Sequence, residues 1–292
     1  MSEHDTSKVA LVEKSFADIL NRHGYGFQYA VLKQAHSLSD SRDSSWKFVA
    51  AEFPVRVQGE DTRIDFILKR QIDNIYDQHF FLLAECKRAN PALSNWCFAR
   101  APYIHHDHWS DAVILEQAVP GNQQRVDASA ISHSTAHNPC HIAVEVRSNA
   151  KGDPTGESKQ AIEKAASQVS RGLNGMIEML EKHTHKLVNM GKAHFLPVIF
   201  TTAHLWLSDV DLSLADIQSG NIDLSNSSFS EQEWVTYQYH LSPGIKHSSS
   251  PIAPTGDWGK FLNTEYIRSI PVVSPNGIEL FLKWSSRLDL LE

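Results

Sequence analysis

A chain of 292 residues, 41% hydrophobic and 21% charged, has apolar material for a large core, and its 14 Gly and 12 Pro exclude a collagen-like, wholly disordered or long coiled-coil protein. Its 27 basic and 34 acidic residues leave a net charge of -7, so no chain-wide positive field exists to hold a phosphate backbone. Cys86, Cys97 and Cys140 form neither a disulfide framework nor a paired zinc motif, and no apolar run reaches about 18 residues, which together point to a cytoplasmic setting without membrane insertion or secretion.

Val9, Val12, Phe16, Ile19 and Leu20 recur at helical spacing and predict a helix over residues 8–23, with Thr6 or Ser7 as cap and Gly24 as stop. Residues 25–33 shorten toward a strand pattern, and the polar run 37–45 reads as a loop. Residues 46–57 and 62–68 read as a hairpin joined by Gln58, Gly59, Glu60 and Asp61. Period-two alternation in its second strand puts Ile64, Phe66 and Leu68 on one face and Arg63, Asp65 and Ile67 on the other. Residues 80–87, FFLLAECK, suit a strand covered on both sides. Phe81, Leu83, Glu85 and Lys87 then face one way, and Phe80, Leu82, Ala84 and Cys86 the other.

Residues 89–139 lack clean periodicity and read as an insertion with short elements, one of them at 111–118. Strand-like alternation resumes at 141–147. The stripe Ile162, Ala165 or Ala166, Val169, Leu173, Met176 and Leu180 predicts a helix over 159–182, and AHFLPVIFTT at 193–202 predicts another covered strand. A polar connection at 208–230 leads to a strand at 234–240, and the chain closes with a strand at 266–273, a turn and a short helix at 278–284. This divides the chain into a core over residues 1–207, interrupted at about 89–140, and a C-terminal extension over 208–292 packed on it.

Asp65 on one strand and Glu85 and Lys87 on the next form a constellation with a chemical meaning. On neighbouring antiparallel strands the two carboxylates stand roughly 5–8 Å apart at Cβ. Charges so close need a neutraliser, and a hard divalent cation such as Mg2+ or Mn2+ suits them. The Cys86 carbonyl can complete the oxygen set, while its thiol packs on the opposite face. Lys87 adds a positive charge beside a water and a phosphate. This set suits metal-assisted phosphodiester hydrolysis.

The order helix with Glu13, hairpin with Asp65, strand with Glu85, Cys86 and Lys87, long helix and further strand resembles the PD-(D/E)xK nuclease superfamily. The resemblance implies an α/β (α+β) restriction endonuclease-like core, a central mixed β-sheet flanked by helices. It implies Asp65 and Glu85 as metal ligands and Lys87 as the residue that orients or activates water. It further implies Glu13 as an extra metal or water ligand and Gln168 as the glutamine of the helix after the catalytic strand. Ile64 stands where the family usually has proline. The implied activity is a Mg2+- or Mn2+-dependent nuclease, in first place a DNA endonuclease, with restriction or defence as the family's setting and repair not distinguished from it by the residues; the acidic balance calls for a homodimer or a larger complex to position the DNA. A nuclease-fold scaffold without catalysis and an RNA-directed nuclease are the alternative readings.

Other clusters have plainer readings. His105, His106, Asp107 and His108, with Cys97, carry zinc-ligand chemistry in a spacing that matches no closed site. Glu145 and Arg147 form a rival acid–base pair on a strand, but arginine does not give up its proton readily. Lys69, Arg70, Arg88, Arg100, Lys159 and Lys164 are basic candidates for substrate positioning. No nucleotide-phosphate loop, dinucleotide glycine set, HExxH helix or GxSxG elbow occurs.

Overall fold

A computed structural model of the chain describes residues 3–72, 78–101, 114–119, 122–127, 139–146, 160–182, 193–240 and 267–287. The His105–His108 cluster, Arg147 and Lys159 lie outside the described residues.

Two helices precede the first strand. Helix α1 (Glu3–Arg22) ends at a corner where Gly24 takes φ 76, and α2 (Tyr25–Asp40) starts at once. The strand pattern expected at 25–33 and the loop expected from 37 are therefore corrected, because the helix runs to Asp40. Its buried stripe is Gln28, Val31, Ala35 and Leu38, and the polar residue at its head conceals the helical period. Leu11, Val12, Phe16 and Ile19 of α1 are each at least half exposed.

Strands β1 (Lys47–Val57) and β2 (Glu60–Ile72) form the expected hairpin. Gln58 at φ 51 and Gly59 at φ 88 both occupy the left-handed region, which a two-residue hairpin turn demands of its central positions. Strand β3 (Gln78–Lys87) pairs antiparallel with β2 and parallel with β9 (Ala193–Thr201). Between β3 and β9 the chain forms β4 (Asn95–Ala99), β5 (Ile114–Val119), β6 (Asn122–Asp127), β7 (Pro139–Cys140), β8 (Ile142–Val146) and helix α3 (Gln160–Lys182). After β9 come β10 (His204–Ser208), β11 (Phe229–Gln232), β12 (Trp234–His240), β13 (Ile267–Val273) and helix α4 (Ile278–Ser285).

The main sheet runs β1-β2-β3-β9-β13-β12-β7, with the β5–β6 hairpin attached to β9, and a second sheet runs β11-β10-β4-β8. The fold is mixed α/β, with two multi-stranded sheets and flanking helices. Strands from the C-terminal part thus complete the main sheet. Pro54 lies on β1, the sheet edge, where a missing N–H is tolerated.

One face of the main sheet packs against α2 and α4 through Val31, Leu38, Phe66, Leu82, Phe200 and Phe281. Such side chains, when fully buried, each stabilise the fold by roughly 1.5–3 kcal/mol relative to exposure. The other face packs on α3 through Val55, Ile64, Ile67, Leu83, Leu173 and Met176. The first half of α3, with Ile162, Ala165, Ala166 and Val169, continues into a core shared with Trp96, Phe98 and Leu205 of the second sheet. Two glycines allow the close approach of α3 to the hairpin: a Cβ on Gly172 would stand 2.8 Å from Ile64 Cγ1, and one on Gly175 2.8 Å from Val55 Cβ.

The faces expected for β3 hold: Leu83 lies on the α3 side, and Phe80, Leu82, Ala84 and Cys86 lie on the α2 side. The alternation expected for β2 does not hold throughout. Ile64 packs on the α3 side, whereas Phe66 and Leu68 pack on the α2 side. The switch of face falls at Asp65, where β2 ceases to pair with β3 and where Glu52, opposite on β1, takes φ 50 and breaks the regular extended backbone of the pair.

Candidate active site

Pairing between β2 and β3 ends at Phe66 and Ala84, one residue short of Asp65 and Glu85. Strand β3 continues to Lys87 with β9 still at its other side, as far as the Lys87–Thr201 pair. Its end is locked by bonds from Thr202 N to Lys87 O at 3.1 Å and from Ala89 N to Thr202 Oγ1 at 2.9 Å. The two strands thus part beside a rigid edge, and the Asp65 side chain replaces the lost ladder. Its Oδ2 accepts the Cys86 amide at 2.6 Å. The Asp65 carbonyl accepts the Gln28 side-chain amide from α2 at 2.7 Å.

Glu85 is 3% exposed, and its Oε1 lies 2.7 Å from Lys87 Nζ. The same ammonium donates to Gln168 Oε1 on α3 at 2.6 Å. Four of the expected residues, Asp65, Glu85, Lys87 and Gln168, are thus brought together from β2, β3 and α3. Glu13 is not joined to them: it is exposed on α1, and the described hydrogen bonds and ion pairs of the cluster do not involve it. The Cys86 side chain points away and packs in the α2-side core, where burial pushes its thiol well above the ordinary value.

Burial raises both carboxyls. It acts first on Asp65, where the Cys86 amide and Lys87 pull down while Glu52 pushes up. Glu85 is pushed up to about 7, chiefly by burial and then by the charge of Asp65, against the opposing pull of Lys87. Negative charge is therefore disfavoured here without a further cation.

Two contributors escape the sequence reading. Glu52 sits on β1 opposite Asp65, between the Ala51–Phe66 and Phe53–Ile64 pairs, and it takes φ 50, an uncommon conformation for a strand residue. Its charge bears on both Asp65 and Glu85. Gln28 is the other, and its one signal is a polar residue at the head of an apolar helical stripe.

Three of the five described basic candidates have other duties. Arg70 is buried, donates to Ser286 O at 2.9 Å and lies 4.1 Å over the Phe80 ring. Arg88 donates to Asn21 O at 2.6 Å, and Lys69 lies over Phe81. Arg100 and Lys164 are exposed. Glu145 of the rival pair accepts the amides of Ala161 at 2.6 Å and Ile162 at 3.3 Å, so its carboxylate caps α3.

Among the described residues no three His, Cys, Asp or Glu side chains form a group that could by itself hold a metal ion. Asp65 and Glu85 carry the oxygen-donor chemistry of a hard cation that takes one or two carboxylates and retains its water, with one oxygen of each already engaged, Asp65 Oδ2 by the Cys86 amide and Glu85 Oε1 by Lys87. No described helix is long and apolar enough to cross a membrane. Comparison with protein-family models, curated protein sequences and solved structures finds no match to the chain.

Proposed function

We propose that this chain is a divalent-metal-dependent nuclease that hydrolyses phosphodiester bonds, DNA being the first substrate to test. The observation that carries this reading is the meeting of Asp65, Glu85 and Lys87 where β2 parts from β3, with Lys87 held between Glu85 and Gln168. Two helices, three antiparallel strands and, after the intervening strands β4 to β8, a helix and a strand parallel to the third support the resemblance to the PD-(D/E)xK superfamily.

Asp65 and Glu85, with the Cys86 carbonyl, would hold Mg2+ or Mn2+. When bound, that ion supplies Lewis-acid polarisation of a phosphoryl oxygen and lowers the pKa of a water. Lys87 offsets negative charge as it grows on the phosphoryl group, and Gln168 fixes the direction of its ammonium. The net charge of -7 gives little field to attract a polyanion, so a second copy or a partner protein positions the substrate.

The test is incubation of purified protein with linear, circular and single-stranded DNA and with RNA, in Mg2+, Mn2+ or EDTA. Cleavage that disappears in EDTA and in Asp65→Ala supports the reading. A correctly folded wild type inert on every substrate, with or without metal, would favour a non-catalytic scaffold, and preference for RNA would move the activity to an RNA-directed enzyme.

A further inference from the structure

We infer that Gln28 is a positioning residue of this site: its amide, delivered by α2, fixes the Asp65 main chain where β2 leaves β3, and thereby aims the Asp65 carboxylate at the cation. The inference deepens the nuclease reading and rests on it. Asp65 has lost its β3 neighbour, and Glu52 on its other side departs from extended backbone, so the ladder holds it only through the flanking pairs Phe53–Ile64 and Ala51–Phe66. The described side-chain bonds at Asp65 run from Gln28 Nε2 to its carbonyl at 2.7 Å and from the Cys86 amide to its Oδ2 at 2.6 Å.

Gln28 is 3% exposed within a stripe otherwise made of Val31, Ala35 and Leu38. An apolar side chain would fill that position without the desolvation penalty of an amide. The bond to Asp65 is what an amide gains there. The corner that carries Gln28 is tied a second time beside the site, since Arg88, next to Lys87, donates to Asn21 O at 2.6 Å. The α1–α2 corner therefore grips both strands that carry the reactive side chains, one at Asp65 and the other just beyond Lys87.

The experiment compares wild type, Gln28→Met and Ala35→Gly. The second substitution loosens the same helix face without touching Asp65. Mn2+ affinity is measured by calorimetry without substrate, Cys86 amide exchange by NMR in EDTA, and cleavage in Mg2+. Gln28→Met should weaken Mn2+ binding about tenfold, speed exchange of the Cys86 amide and slow cleavage. Ala35→Gly should lower the melting temperature and leave affinity and exchange unchanged. Should Gln28→Met fail to fold, Gln28→Asn, with its amide one methylene short, puts the same question.

Wild-type affinity and exchange in the folded Gln28 variant would overturn the inference while leaving the nuclease reading standing. So would equal losses in Ala35→Gly. A wild type that neither binds Mn2+ nor cleaves would remove the nuclease reading itself, and this inference with it.

Discussion

Lys87 Nζ lies 2.7 Å from Glu85 Oε1, two residues back on the same strand and the same face. Glu85 is almost wholly enclosed, whereas about a quarter of the Lys87 side chain, 26%, remains exposed. The lysine thus links a buried carboxylate to the surface. Lys87→Met should abolish metal-dependent cleavage. It should also lower the stability of the metal-free protein by about 1–3 kcal/mol at pH 8, the scale for a buried polar group left without its partner. Urea unfolding in EDTA checks this, and an equal deficit at pH 5, where Glu85 is protonated, would show that the lost ion pair is not its source.

Glu85 gives the metal-free protein a pH dependence whose sign is fixed by its raised value. With a folded value of about 7 against an ordinary 4.5, the folded state holds a proton that the unfolded state has released across that interval. The contribution of Glu85 to stability therefore falls as pH rises from about 4.5 to 7 and stays low above. The change is on the order of 3 kcal/mol at most. Glu85→Gln, which cannot ionise, should flatten this slope and be relatively more stable at pH 8 than at pH 5. Unfolding curves in EDTA at four pH values measure it, and identical slopes for both proteins would refute the assignment.

Why β3 and α3 are readable from sequence while the site's supports are not has a local explanation. The run FFLLAECK fixes its faces through period two alone, and Ile162, Val169, Leu173 and Met176 show the helical stripe of α3 directly. Asp65, Glu85, Lys87 and Gln168 ride on these regular elements or on the hairpin beside them, so their meeting follows from pattern. Gln28 and Glu52 matter because they break pattern, one as a polar residue in an apolar stripe and the other as a left-handed residue in a strand. The same breaks defeat the strand pattern expected at 25–33 and the shared face expected for Ile64 and Phe66. The second sheet is hidden for another reason: its β4 pairs with strands whose partner residues, such as Val146 and His204 for Asn95, are far along the chain.

Glu52 carries two penalties in the metal-free protein, a left-handed backbone and a charge facing Asp65 and Glu85. A left-handed L-residue costs roughly 1–2 kcal/mol, and glycine's greater loss of chain entropy offsets about 0.5–1 kcal/mol of the relief. Glu52→Gly should therefore stabilise the metal-free protein by up to about 1.5 kcal/mol. Thermal melts in EDTA read the change. A lower melting temperature would mean that the carboxylate stabilises β1 by a contact stronger than its 3.8 Å approach to Arg63.

Glu145 tests whether α3 must be anchored for Gln168 to reach Lys87. Its carboxylate takes the first amides of the helix, Ala161 and Ile162, from a strand of the second sheet, so that sheet holds the helix by its N-terminus. A capping acceptor is worth about 0.5–2 kcal/mol, and a carboxylate there also favours the positive end of the helix dipole. Glu145→Ala should lower stability by that amount. Gln168 lies seven residues beyond Ala161, so a frayed first turn should leave the bond between Gln168 and Lys87 intact. Cleavage per folded molecule should then stay near the wild-type rate, in contrast to Gln168→Ala, which should slow it with little loss of stability. Comparing unfolding free energy with turnover for the two variants separates anchoring from chemistry. A large rate loss in Glu145→Ala at unchanged stability would place Glu145 among the residues that act on substrate.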